Sequence, residues 1–452
     1  MDSRTTMTMA STIELLLEQK KYVTIRDVFT TMQAIDIATL FNEISQNKLP
    51  LLFRLLPKEL AADTFVEMDE DSQAHLIQGF SDSELKEVVD ELYVDDMVDL
   101  VEEMPANVVR RILASADSET RKAINEICKY PDDSAGSIMT TEYVTLRLEM
   151  TVSEAIKRIR RTGLDKETIY TAYVINQDRT LVGMLSMRTL LLSEDDDNIT
   201  DIMETNVIAV NTLDDKEEVA NQFKKYDFLA MPVVDKEFRL VGIVTVDDAI
   251  DVMEEEVTED IEMMAGITPT DKPYLKTSVF ETWKKRIPWL LILMISSTFT
   301  SMIITGFEDA LAAQVALTAF IPMLMGTGGN SGSQSSVTVI RGLSLGEIQF
   351  KDCLNVIWKE ARVSFLCGIT LAIANFAKLM VFDRVGVYVS LVVSLTMLIT
   401  VICAKLIGCV LPILTKKIGL DPAVMASPLI TTAVDAVSLL VYFQTAKLIL
   451  GI

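Results

Sequence analysis

Apolar residues are spread very unevenly along this chain. Beyond about residue 286 they gather into five long runs: Ile287–Phe307, Ala312–Thr338, Leu354–Phe382, Val387–Leu414 and Val424–Leu450. A bilayer crossing needs roughly 20 such residues, so the runs predict five membrane-spanning helices. Earlier in the chain the hydrophobic positions are short and rhythmic. Leu56, Met68, Phe80, Leu92, Met104, Ala116 and Cys128 fall twelve residues apart. Each unit carries a capping or turn residue and then one short amphipathic stretch, as in Ser81–Leu92. This pattern predicts a stack of short helices, each burying its face on its neighbours. A plain helical bundle is the alternative. Such a superhelix supplies surface rather than catalysis.

A duplicated module follows. Ile138-Met-Thr-Thr returns as Ile202-Met-Glu-Thr, and Leu181-Val-Gly-Met-Leu returns as Leu240-Val-Gly-Ile-Val. Helical stretches lie at Thr151–Arg161 and Asp214–Lys225, so each copy reads helix, strand, strand, helix. The pair resembles a tandem CBS module, a regulatory unit that binds adenine nucleotides or ions and commonly dimerises. That resemblance implies a Ser/Thr-x-x-Asp motif whose Asp accepts from the ribose hydroxyls. The second copy has Thr245-Val-Asp-Asp248, but the first has Ser186-Met-Arg-Thr189. Thr189 in place of Asp argues against adenine-nucleotide binding there, ATP included. Arg188 and Phe228 are the remaining candidates for nucleotide contact.

Charge separates the two halves. Residues 271–452 carry 15 basic and 10 acidic side chains, which leaves 26 basic and 55 acidic for the first 270, a net of −29. After the second CBS copy, Asp247 to Glu262 holds no Pro or Gly and predicts an acidic helix leading toward the membrane. Asp248 and Asp251 share a face, as do Glu256, Glu259 and Asp260. A solvated acidic face is the plain reading. Further clusters at Asp95-Asp96-x-x-Asp99 and Asp214-Asp215-x-Glu217-Glu218 favour carboxylates bridged by Mg²⁺, an ion that takes oxygen ligands and keeps several waters. Nothing in this acidic half points to nucleic acid.

Lys and Arg beside the spans set orientation. Lys284, Lys285, Arg286, Arg341, Lys351, Lys416 and Lys417 fall on one side if that side is the cytoplasm. The acidic half is then cytoplasmic and the C-terminus outside. Met1–Lys20 has no signal-peptide pattern. The five cysteines show no CxxC spacing and the single histidine, His75, is too little for a metal centre.

Ionisable groups inside spans mark ion paths by default. Asp435 lies about 18 Å into the last run at 1.5 Å per residue, near mid-membrane. A structural Asp bonded to a neighbouring helix is the alternative. Glu360 sits beside Lys359 and Arg362, which predicts a local ion pair. The second run ends in a stretch containing Gly328, Gly329, Asn330, Gly332 and Gln334. Small residues permit close helix packing, or an opened backbone whose carbonyls face a cavity. Pro428 likewise frees a carbonyl ahead of Asp435.

The order of short helices, CBS pair, acidic helix and five spans resembles the MgtE family of magnesium channels. Gly-Gly-Asn-Ser-Gly-Ser-Gln at 328–334, Arg341-Gly-Leu, Asp421-Pro-Ala and Ser427-Pro-Leu-Ile-Thr-Thr-x-x-Asp435 carry the resemblance. It implies an α-superhelical domain (1–131), an α/β tandem CBS domain (132–250), a connecting helix and linker (247–276) and an all-α pore domain (277–452). By the same resemblance Asp435 holds hydrated Mg²⁺ with help from the Thr431 carbonyl and Ser427, and Asp421 lies at the inner mouth. Gly328, Gly329, Asn330, Gly332 and Gln334 line the pore. The sensor ligands are Asp95, Asp99, Asp215, Glu217, Asp227, Asp248, Asp251, Glu256, Glu259 and Asp260. A homodimer with the pore between subunits is implied. No P-loop or phosphorylation site is present, so the reading is transport down a gradient and not enzymatic. The rival readings are a channel for Co²⁺, Mn²⁺ or Ca²⁺, and a CBS adenylate sensor controlling a membrane partner.

Overall fold

The computed structural model describes residues 3–270, 274–275, 277–425 and 427–451; the side chains of residues 3–5, 425 and 427 lie outside that description. It divides into two compact units, Met1–Met253 and Glu254–Ile452.

The first unit opens with ten short helices: α1 (Ser3–Glu18), α2 (Tyr22–Phe29), α3 (Ala34–Asn42), α4 (Leu49–Phe53), α5 (Lys58–Val66), α6 (Glu70–Gly79), α7 (Asp82–Val89), α8 (Val94–Glu103), α9 (Ala106–Ser115) and α10 (Ser118–Ile127). From α6 to α10 each helix starts twelve residues after the one before it. The period is one helix plus one junction. Met68, Phe80, Met104 and Ala116 are buried immediately before the N-caps Asp69, Ser81, Pro105 and Asp117. An apolar residue at that position fixes the angle at which the chain enters the helix. The caps are built accordingly. Asp69 accepts from the Ser72 N–H, Ser81 and Glu84 form a reciprocal capping box, and Asp117 accepts from Glu119 and Thr120.

Next come β1 (Val144–Arg147), α11 (Val152–Thr162), β2 (Thr171–Ile175), β3 (Leu181–Ser186), α12 (Met187–Leu192) and α13 (Ile199–Ile202). The second copy contributes β4 (Val210–Asn211), α14 (Lys216–Tyr226), β5 (Ala230–Val234), β6 (Leu240–Thr245) and α15 (Val246–Met264). Each copy makes a three-stranded sheet in sequence order, its first pair parallel and its second antiparallel. The opening strands β1 and β4 lie ahead of the helices with which the sequence pattern begins each copy.

The two repeated motifs interlock crosswise. Met139 packs on Gly242, where an added Cβ would meet its sulfur at 2.6 Å, and Met203 packs on Gly183 at the same distance. Thr140 exchanges two backbone hydrogen bonds with Ile243, and Glu204 does so with Met184. The Ile-Met motif heading each copy therefore serves the Leu-Val-Gly strand of the other. One continuous buried core joins the short helices to the second copy, including Leu100, Ile112, Met139, Val219, Phe223 and Val252.

The second unit contains α16 (Val279–Gly306), α17 (Glu308–Ala313), α18 (Ile321–Ser344), α19 (Cys353–Val381), α20 (Val387–Lys417) and α21 (Ser427–Leu450). Among the described residues four helices are long and apolar enough to cross a membrane: Val279–Gly306, Phe350–Val381, Val387–Lys417 and Pro428–Leu450. α18 has the length, 24 residues, but its Gly, Ser, Asn and Gln content keeps it out of that group. The second apolar run is not one helix. Its first part forms α17 and a 3₁₀ segment, Val315–Phe320, before α18 starts at Ile321, with Pro322 in its first turn.

Candidate ion pathway and acidic cluster

Three helices converge around the glycines of α18. A Cβ on Gly328 would lie 2.8 Å from Thr400 and 2.9 Å from both Val434 and Ser438. On Gly329 it would meet Thr431 at 2.9 Å, and on Gly332 it would meet Ile430 at 2.9 Å and the Ala404 carbonyl at 3.2 Å. At Gly408 of α20 it would run into the Gly332 backbone. The glycines thus bring α18, α20 and α21 into close contact. The opened backbone that they also permit is not what forms, because α18 is helical throughout. Pro428 likewise leaves α21 unbroken. It occupies the first turn, where its missing N–H has no helical partner to lose.

This packing places Asp435 next to Val434, on the helix held against Gly328 and Gly332. Because α21 begins at Ser427, Asp435 lies about 12 Å into the helix, shallower than the apolar run suggests. Its Oδ1 is buried and has no hydrogen-bond partner among the described residues. Buried oxygens are satisfied in the great majority of cases, so this one calls for an explanation. The structural alternative, an Asp bonded to a neighbouring helix, leaves it without one. Thr431 lies one turn earlier on the same helix, and the side chain of Ser427 is outside the described residues. Asp421 accepts from the Ala423 N–H at 2.7 Å, capping the 3₁₀ turn Pro422–Met425.

On the other side of α18 an exposed stripe runs along Pro322, Gly326, Asn330, Gln334 and Thr338. Asn330 and Gln334 therefore face away from the packed glycines. Glu360 makes no ion pair with Lys359 or Arg362 among the described residues. It accepts from Ser335 Oγ at 2.6 Å, since Ser335 reaches across from α18 while Arg362 turns back to the Trp358 carbonyl.

In the first unit the fold gathers carboxylates from three segments far apart in sequence. Asp95, Asp96 and Asp99 come from α8, Glu167 from the turn after α11, and Asp247 and Asp248 from the start of α15. Burial pushes the Asp95 carboxyl well above its ordinary range, and Asp96, Asp248 and Glu167 push it further. Burial, then Asp248, raises Asp96 to about 6. Burial, with Asp96 and Asp247 behind it, raises Glu167 to about 8. Asp248 reaches about 6 for the same first reason, although the Thr245 hydroxyl donates to it at 2.6 Å and pulls the other way. Asp99 keeps an open face to solvent. The protein crowded around its carboxylate still displaces water and, with Asp96 and Glu103, raises it to about 7. No cation enters the causes of any of these shifts.

Glu167, Asp96 and Asp247 were not among the ligands that the resemblance implies. Asp96 and Asp247 adjoin such ligands; Glu167 stands two residues after Asp165, outside the acidic clusters that the sequence picks out. One of its oxygens, Oε2, is buried without a hydrogen-bond partner among the described residues. Asp251 approaches Glu67, whose carboxyl is raised first by burial and then by that charge. Asp215 caps α14 by accepting from Glu217 N–H, and Asp227 ends the same helix in the left-handed conformation. Glu256, Glu259 and Asp260 lie beyond the boundary at Met253, on the part of α15 that belongs to the second unit. There Met263 and Met264 pack on Ile340 and Ala423. Among the described residues no three acidic, His or Cys side chains converge closely enough to grip a bare metal ion. Mg²⁺, which usually retains several waters, does not demand such a cage.

These carboxylates carry a pH dependence of defined sign. Their folded-state pKa values are raised, so the folded chain binds protons that the unfolded chain has released. Stability of the ion-free protein is therefore expected to fall as pH rises from about 4 through the folded values of about 6 to 8. Thermal unfolding in EDTA should show a lower Tm at pH 8.5 than at pH 5.5. Added Mg²⁺ should narrow the gap.

Comparison with known proteins agrees with this arrangement part by part. Residues 32–133 match the MgtE intracellular N domain, residues 135–194 and 199–255 match CBS domains, and residues 321–445 match a divalent cation transporter family. The magnesium transporter MgtE of Thermus thermophilus is 36% identical over 446 residues, covering 98% of both chains. The chain belongs to the MgtE family of magnesium transporters. MgtE of Bacillus subtilis is 35% identical over 442 residues, 96% of each chain. The cytosolic domain of an Mg²⁺ channel MgtE, solved in complex with ATP, aligns with a TM-score of 0.51 at 36% identity, covering 54% of this chain and 99% of its own. The soluble part of a magnesium transporter aligns equally well, at 32% identity over 55% of this chain and 97% of its own. The helical N domain, the CBS pair and the apolar helical domain are thus the architecture of an MgtE magnesium transporter.

Proposed function

We propose that this MgtE protein is a channel that admits Mg²⁺ down its electrochemical gradient and is closed by Mg²⁺ on its cytoplasmic side. The observation that carries the conduction part is an oxygen of Asp435, on a helix apolar enough to cross a membrane, that is buried without a hydrogen-bond partner among the described residues. A hydrated divalent ion supplies the missing partners, because its waters are donors. The polar stripe of Asn330 and Gln334 gives a second copy of the chain something to face, which supports a homodimer with the pathway between subunits. The basic residues Lys284–Arg286, Arg341, Lys416 and Lys417 support a cytoplasmic acidic half. Influx is then favoured by about 2.3 kcal/mol per charge per 100 mV.

Closure is linkage. The clustered carboxylates repel when bare, and Mg²⁺ reverses the sign of that interaction. The ion shifts the balance only as far as it binds the closed state more tightly. The test is Mg²⁺ uptake into liposomes holding the purified protein, without nucleotide. Uptake that requires ATP would sink the channel reading.

ATP is not expected to bind with useful affinity. In the first CBS copy Ser186 Oγ and Thr189 Oγ1 lie 2.9 Å apart and engage each other, leaving no carboxylate for a ribose. In the second copy Asp248 is already held by Thr245. Calorimetry of ATP against the full chain should show no binding in the cellular ATP range. Tight binding would overturn the assignment.

A further inference from the structure

Lys405 of α20 is 5% exposed, inside a helix otherwise suited to a bilayer. Its Nζ lies 3.5 Å from Gln334 Oε1 and 3.4 Å from Ser335 Oγ. Ser335 passes the contact on, donating to Glu360 Oε2 at 2.6 Å. Among the described residues no carboxylate lies within ion-pair distance of Lys405. The Glu360 carboxylate beyond Ser335 offsets part of the ammonium's field and leaves the positive end of the pair toward Gln334; an apolar side chain would fill the same place at less cost. Intramembrane charges of this kind mark ion paths.

The packing gives its level. Gly328 abuts Val434 and Thr400, while Gly332 abuts Ile430 and Ala404. Gln334 and Lys405 therefore lie about 9 Å along the helix axis from the level of Asp435, toward the end of α18 that carries Arg341. Gln334 is exposed on the polar stripe and gives its carbonyl to Lys405. Its amide nitrogen, a donor, is what remains to face the stripe.

We propose that Lys405 is a release charge: a positioning residue that weakens the hold of Asp435 on a divalent cation and so allows the ion to leave toward the Arg341 end. The inference rests on the conduction reading above. A conducting site must bind well enough to admit an ion and weakly enough to release it. An unpartnered carboxylate alone favours capture. A fixed cation two turns away, turned toward the stripe through Gln334, opposes it.

The experiment is Mg²⁺ uptake by full-length protein in liposomes across external Mg²⁺, for wild type, Lys405→Met and Lys405→Arg. Lys405→Met is expected to lower half-saturating Mg²⁺ at least about threefold and to lower the maximal rate, while Lys405→Arg stays within about twofold of wild type on both. A folded Lys405→Met with unchanged half-saturation overturns the proposal, because a merely structural role moves only rate and stability. So does a Lys405→Arg variant that behaves like Lys405→Met. If Lys405→Met does not fold, Lys405→Gln, which keeps a polar group beside Gln334 and Ser335 but no charge, should also lower half-saturation; no change there overturns the proposal too. A wild type without Mg²⁺ uptake would instead contradict the conduction reading itself.

Discussion

Asp435→Ala is expected to bring Mg²⁺ uptake down to the level of protein-free liposomes while the protein remains folded. The carboxylate is the ionisable side chain that α21 carries beside the glycine contacts, and one of its oxygens is buried without a partner among the described residues. On the proposed function, removing it takes away the negative charge that draws a hydrated divalent ion to this level. Stability should move little, or rise. A buried polar atom without a partner costs about 1–3 kcal/mol, and Ala removes that cost while opening only a small gap. Asp435→Asn separates charge from shape, since it keeps the volume and an oxygen but not the negative charge. It should also fail to conduct. Uptake at the wild-type rate by either variant, with an unchanged Tm, would remove Asp435 from the pathway.

Neutralising Asp248, Asp251, Glu256 and Glu259 together is expected to yield a channel that stays open at high internal Mg²⁺. Two effects compete. Bare carboxylates repel over a screening length of about 10 Å at 0.1 M salt, so removing them by itself favours compaction and closure. The same removal deletes the groups that a bridging ion would hold. If repulsion alone kept the channel open, the variant would rest closed and conduct poorly. If bridging ions are needed to fix α15, Mg²⁺ inhibition is lost. The structure bears on the choice through Asp248. Its carboxyl is raised by burial before any neighbouring charge is felt, so it is already committed to a packed position and its repulsion is a secondary effect. Loss of inhibition is the expected outcome. Patch recordings with inhibition as steep as in wild type would rule it out.

The sequence foretold those parts of the fold that depend on short-range pattern. The twelve-residue rhythm was legible because each period is one helix and one capped junction, with Met68, Phe80, Met104 and Ala116 marking the entries. The strands β1 and β4 were not, since four and two residues are too few to show an alternation. Asp435 stood out as a lone carboxylate in an apolar run, but its depth was overestimated because helix α21 starts at Ser427, three residues after the run does. The glycines of α18 announced either close packing or an opened backbone. Contacts with Thr400, Thr431 and Val434 decide for packing, and no single-chain pattern encodes those neighbours. Glu360 was paired with its chain neighbours because sequence sees i±1 and i±2; its partner Ser335 lies on another helix. Glu167 and Lys405 escaped for the same reason. Lys405 is the lone charge in its apolar run, Glu167 lies outside the acidic clusters, and each acquires its meaning only where distant segments meet.

On the proposed function, Mg²⁺ both passes through this protein and shuts it. The most direct test records Mg²⁺ current through purified wild-type channels in excised patches, without nucleotide, while Mg²⁺ on the acidic-domain side is stepped from nominally zero into the millimolar range. Current is expected at the low end and should disappear steeply as Mg²⁺ rises. A current that persists unchanged across that range, or one that appears only when ATP is added, would contradict that function.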